Sequence, residues 1–180
     1  MNVMVLEQWM YQLSSWFMAP VLISIAALFL YSLYATGQFA AQWWQRRNSH
    51  LAYLQALKGD RVSPAQVTGF SLLAFALRRR DVTMDELDLM ALKDLEALRI
   101  ITRIAPMLGL IATMIPMAPA LKALGDGNVQ GISENLIVAF SAVIFGMVIA
   151  SLTFWLASIK KRWLAVELVD VVRLKKIQIE

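Results

Sequence analysis

The chain has 180 residues, 59% of them hydrophobic, with a net charge of +4, one His and no Cys. Such a composition excludes a disulfide framework and a thiolate metal site, and its apolar content lies far above that of a soluble domain. The lone His50 sits in a polar segment without a nearby ligand partner and reads as a surface or packed residue.

Three stretches, 16–36, 104–121 and 136–159, contain no charged residue. Each is long enough, or nearly so, to cross roughly 30 Å of hydrocarbon at about 1.5 Å per residue. The basic residues lie outside them: ten between Arg46 and Arg103, six between Lys160 and Lys176, and Lys122 alone on the opposite side. This distribution argues against nucleic acid and for a membrane. By the positive-inside rule both basic segments are cytoplasmic, so the expected chain is multi-pass with its N-terminus outside and its C-terminus cytoplasmic. Lys122 can snorkel to the outer interface. The first span lacks a basic n-region and exceeds the length of a signal h-region, so it is expected to be retained.

Taken in order, residues 1–45 form an outer segment and the first span, with Trp9, Tyr11 and Trp16 at one interface and Tyr31, Tyr34, Trp43 and Trp44 near the other. Its bulky body, from Leu22 to Leu30, suits lipid contact. Residues 46–99 read as cytoplasmic helices. Ser63-Pro64 predicts a helix start, the helix running to about Arg79, with Arg78, Arg79 and Arg80 at its negative pole. Thr83 and Glu86 form a capping box, and the apolar spacing from Leu87 to Leu98 predicts a helix running straight into the second span. Gly125-Asp126-Gly127-Asn128 predicts the outer turn. Ser133 is the expected cap of the third span, so residues 100–159 hold spans two and three. Residues 160–180 are expected to extend span three as a helix, with Trp163, Val166, Leu168, Val171 and Val172 packing on the cytoplasmic part of the second helix.

Span two carries Ala105, Gly109, Ala112, Thr113, Pro116 and Ala120 on one face; span three carries Ala139, Ala142, Gly146, Ala150, Thr153 and Ala157. Small faces let helix backbones approach closely in lipid, where packing drives association. They fit a helix–helix interface, or a narrow pore wall with Thr113 as its polar handle; a lone threonine can also bond the carbonyl four residues back, here that of Gly109. An ion path normally needs an ionisable group or a ring of dipoles at mid-depth. No Asp, Glu, His, Lys or Arg lies in the three spans, so an ion path through this chain would need a partner's carboxylate.

The run Ala105-Pro106-Met107-Leu108-Gly109-Leu110-Ile111-Ala112-Thr113-Met114 resembles the A-P-x-x-G-L-x-G-T-V signature of the MotA/TolQ/ExbB proton-channel family. Gly131-Ile132-Ser133-Glu134-Asn135-Leu136 is similar to that family's entry to its last span, and Ala139 to Gly146 to its small-residue segment. The likeness covers roughly residues 99–165, and three spans match the ExbB/TolQ branch rather than the four-span flagellar branch. It implies an all-α membrane protein, with the second and third transmembrane helices extended into a cytoplasmic helical bundle, assembled as a homopentameric ring. It also implies two copies of an ExbD/TolR/MotB-like single-span partner whose membrane Asp carries the ion.

On that resemblance Thr113 faces the partner's carboxylate, with Gly109, Ala112, Pro116, Ser141, Ala142 and Gly146 along the ion path and Pro106 shaping the backbone. The chain departs from the pattern in its last span. There the family's second threonine aligns with Val143, Ala142 or Ala139, and Ser141 is the nearest hydroxyl. The expected protein is an ion-motive-force-driven motor subunit of a bacterial inner membrane. It would move H+ or else Na+, with membrane lipid as a neighbour, no nucleic acid, no cofactor, no metal and no enzymatic chemistry. The competing expectation is a non-conducting scaffold or an accessory transporter subunit.

Overall fold

The computed structural model describes residues 3–58, 62–79 and 82–177, with side chains described except at 3–8, 10, 11, 14, 15 and 175–177. Arg61 and Arg80, and the side chains of Tyr11, Lys175 and Lys176, which the sequence reading used, lie outside what is described. Among the described residues all regular structure is helical: α1 Val3–Asn48, α2 His50–Leu57, α3 Ser71–Arg78, α4 Met84–Gly125 and α5 Val129–Ile177. Three helices are long and apolar enough to cross a membrane, within Trp16–Asn48, Met84–Gly125 and Val129–Leu174. The chain divides into two compact units, 1–33 with 100–153 and 34–99 with 154–180, so each long helix contributes to both.

Local chemistry explains where the helices start and stop. At the head of α4 the Thr83 N–H donates to Glu86 Oε2 at 3.2 Å and the Glu86 N–H to Thr83 Oγ1 at 3.3 Å, the reciprocal capping box expected. At its foot, the Asn128 N–H donates to the Ala123 carbonyl and the Gly127 N–H to the Leu124 carbonyl, with Gly127 at φ +69°. This is a Schellman ending, which needs a left-handed residue that glycine adopts without a Cβ penalty. The cap of α5 differs from the one expected. Asn128 Oδ1 accepts the Gly131 N–H at 3.0 Å, whereas Ser133, already inside the helix, donates back to the Val129 carbonyl. Asn128 therefore closes one helix and opens the next, and the cap falls five residues before Ser133.

The helix expected from Ser63 to Arg79 is also broken. Pro64–Gln66 makes one 3-10 turn, with the Ser63 N–H on Gln66 Oε1, before the chain bends and α3 begins at Ser71. Gly69 causes the break. It sits at φ +91°, and a Cβ there would meet the Arg46 backbone N at 3.0 Å.

In the unit formed by 34–99 and 154–180, the core is Tyr53, Ala56, Phe70, Leu72, Leu73, Leu87, Leu95, Leu164 and Val171 with their neighbours. The far part of α5 packs there on the first part of α4, and Lys160 Nζ lies 3.7 Å from Asp94 Oδ2. Of the tail residues named from sequence, Val171 is buried and Leu168 packs against the core, but Val166 is exposed; Leu164 fills that side instead. In the other unit α1 is not lipid-facing all round, because Val21 and Ile25 are buried against Ile101, Ala105, Ala112, Ala142 and Ile149.

Candidate functional site

The small faces of α4 and α5 meet each other. Ala105, Ala112, Pro116 and Ala120 on α4, and Ala139, Ala142, Ile149 and Thr153 on α5, are all buried. Gly109 and Gly146 form the closest approach. A Cβ on Gly146 would fall 2.8 Å from the Ala105 carbonyl oxygen and 3.2 Å from the Gly109 Cα, so backbone fills the space a side chain would need. A Cβ on Gly109 would meet the Val143 Cα at 3.4 Å, an ordinary contact. Toward the charged end of α4, Thr102 Oγ1 donates to Thr153 Oγ1 at 2.9 Å, and Thr153, fully buried, also bonds the Ile149 carbonyl at 2.8 Å. Hydroxyl pairs of this kind fasten helices in lipid, at about 0.6 to 2 kcal/mol each.

The site residues read from sequence therefore separate into two groups. Gly109, Ala112, Pro116, Ala142 and Gly146 lie inside the contact between the two helices of one chain, while Thr113 and Pro106 are only half-buried on its flank. At 3.6 residues per turn, Thr113, Pro106 and Met117 lie on the flank of α4 opposite to Ile101 and Leu108, which pack toward α1. That flank of α4 is open. The Thr113 hydroxyl donates to the Leu110 carbonyl at 2.6 Å, three residues back rather than the four expected. Proline adds free acceptors nearby, since Pro116 and Pro119 have no N–H to offer the carbonyls four residues earlier.

Ser141 is not brought to Thr113. It is exposed, bonds the Ile137 carbonyl at 2.7 Å, and lies on the side of α5 where Phe145 meets Phe29 of α1 with ring centroids 5.2 Å apart. On α5, Val143 stands across from Gly109, half-buried and without a hydroxyl. No ionisable side chain lies within 104–121 or 136–159.

A second cluster, which the sequence reading missed, stands in the other unit. Glu167 is 1% exposed; its Oε1 accepts the N–H groups of Leu72 and Leu73 at 2.8 and 2.9 Å, and its Oε2 takes Arg46 Nη2 at 2.5 Å. Arg46 also donates from Nε to the Gly69 carbonyl at 2.7 Å, and its guanidinium lies 4.6 Å from the Phe70 ring centre and 4.7 Å from that of Trp163. Tyr53 donates to Asp170 Oδ2 at 2.5 Å. Burial pushes the Glu167 carboxyl above its ordinary value, against the pull of the Leu73 and Leu72 N–H groups and of Arg46. Burial likewise lowers the Arg46 guanidinium, opposed by Glu167, and burial with Asp170 raises the Tyr53 phenol. Both residues of the pair lie well beyond the charge-free stretches. The signal available in sequence was an acid at helical spacing between Leu164 and Val171, on the face that α5 buries.

Three helices are long and apolar enough to span a membrane, and the small faces of α4 and α5 interlock with the Thr113 hydroxyl on their flank. The chain belongs to the MotA/TolQ/ExbB proton channel family, whose model matches residues 76–171, more than half of its length. That match takes in α4 and most of α5, including Glu167, and leaves α1 and Arg46 outside. No curated protein and no solved structure matches the chain. The family is one of channels and transport-associated proteins rather than of classical enzymes, and the chain is accordingly a multi-pass membrane protein of proton-channel type.

Proposed function

We propose that this chain is the ring-forming subunit of an ion-motive-force-driven motor, a homopentamer around two copies of an ExbD/TolR/MotB-like single-span partner. It would sit in a bacterial inner membrane with its N-terminus periplasmic and its C-terminus cytoplasmic, the side on which sixteen of its seventeen Lys and Arg residues would then lie. The observation that carries the reading is the combination of a charge-free helix pair with an open flank bearing Thr113. Such a lining can face an ion but cannot carry one, so the titrating carboxylate comes from the partner. Each proton crossing would release about 2.3 kcal/mol per 100 mV. That energy would drive the partner past successive Thr113 positions and so perform rotary work.

Affinity purification of the chain with its natural partner is expected to recover a single-span protein with one intramembrane Asp. Proteoliposomes of that complex, read with a pH-sensitive dye, should lose at least about tenfold in proton flux on Thr113→Val, while Thr113→Ser retains it. Tenfold is about 1.4 kcal/mol, the lower end of what one hydrogen bond to a charged group contributes. Unchanged flux in Thr113→Val would remove Thr113 from the ion path. One feature favours the second reading, a non-conducting scaffold: Val143, Ala142 and Ala139, the positions the resemblance aligns with a second threonine, carry no hydroxyl. Proteoliposomes that stay proton-tight with the partner present would select that reading.

A further inference from the structure

Within the unit formed by 34–99 and 154–180, a groove of about 860 Å³ runs between α1 and α5, lined by Phe39, Trp43, Trp155, Ser158, Arg162 and Trp163 among others. It straddles the ends of the charge-free stretches, at Thr36 on α1 and Ile159 on α5, with Trp155 and Ser158 inside them and Phe39, Trp43, Arg162 and Trp163 beyond, the depth expected of a membrane–water interface. Its walls are apolar and rigid. Phe39 stacks on Trp163 with ring centroids 4.8 Å apart and planes 4° from parallel, and Trp163 carries the Arg46 guanidinium on a ring face. Its rim is basic. Arg46 is neutralised by Glu167, but Arg162 makes no ion pair among the described residues, and it also lines a smaller cavity beside His50 and Tyr53. The indoles of Trp43 and Trp155 are each more than half exposed. Indole N–H groups at such depths usually find a polar partner, and here none is found among the described residues.

We infer that this groove is a binding site for one anionic phospholipid, its acyl chain along Phe39 and Trp155 and its phosphate on Arg162. Basic pockets between helices near the cytoplasmic face select anionic headgroups, while an apolar floor accepts any acyl chain. Charge complementarity therefore decides the occupant: a zwitterionic lipid would meet the same floor but gain little from Arg162. Calling the leaflet cytoplasmic rests on the orientation proposed above; the site itself does not.

The test uses the full chain in mild detergent micelles, where no leaflets exist, so its outcome is independent of that orientation. Trp9, Trp16 and Trp44 are replaced by Phe so that fluorescence reports on Trp43, Trp155 and Trp163. Phosphatidylglycerol with a brominated acyl chain should then quench at about fivefold lower mole fraction than phosphatidylcholine with the same chain. Arg162→Gln should bring the two lipids together, whereas Lys122→Gln, outside the groove's lining and in the other unit, should leave the preference in place. Equal quenching by both lipids, or a preference that survives Arg162→Gln, overturns the proposal. So does absence of quenching by either lipid, since the groove would then be covered by protein.

Discussion

At Gly146 a single added methyl group has nowhere to go, while at Gly109, one helix across, it does. The difference is one of backbone against ordinary contact, 2.8 Å to the Ala105 carbonyl oxygen in one case and 3.4 Å to the Val143 Cα in the other. Gly146→Ala should therefore force α4 and α5 apart and cost about 1–3 kcal/mol, the usual penalty of overpacking. Gly109→Ala should be close to neutral. Thermal unfolding of both variants in the same detergent checks the contrast, and equal midpoints would contradict the close approach. Sequence spacing marked both glycines as small-face residues but could not rank them, since the ranking depends on which atoms of the other helix lie opposite. The motif singles out Thr113, which lies half-buried on the flank of α4, while Ser141 lies on the side of α5 where Phe145 packs on Phe29.

Among the elements, α4 and α5 could be read almost end to end from apolar runs, the Thr83–Glu86 box and the Gly-rich turn, and α1 through its charge-free stretch 16–36. The breaks were harder. Gly69 ends the stretch from Ser63 because Arg46, twenty-three residues earlier, occupies the space beside it, and no local pattern encodes that. Glu167 fastens the same junction by holding the Leu72 and Leu73 N–H groups in the first turn of α3 together with Arg46. Glu167→Ala should strand all three donors and lower stability by roughly 3–5 kcal/mol, the usual cost of removing one partner from a buried pair. Glu167→Gln, which still offers an oxygen to Leu72 and Leu73, should lose less. Circular dichroism melts of the two variants test the order, and a wild-type melt for Glu167→Ala would make the junction dispensable.

For the molecule as a whole, the large apolar side chains left bare on α4 and α5 set the expectation. Met107, Leu110 and Met114 on one helix, and Phe140, Ile144 and Met147 on the other, are each more than half exposed. They surround the packed pair on faces that α1 does not cover, which fits lipid on one side and further copies of the chain on the other. Native mass spectrometry from mild detergent should report five copies per particle under the proposed arrangement; a persistent monomer or dimer would dismantle the ring. Sequence reached the three spans because burial in lipid needs only composition and length. The copy number of five comes only from the family resemblance, because it depends on the angle at which neighbouring surfaces meet.

The Schellman ending at Gly127 and the cap at Asn128 leave no slack between α4 and α5. The hairpin thus behaves like a keyed joint: Thr102 finds Thr153 and Gly109 finds Gly146 because the corner is only as long as it is. Deleting or inserting one residue there would turn α5 by about 100° about its own axis. Glycine would then give way to a bulky neighbour at the seam, with every span still apolar and every motif still intact.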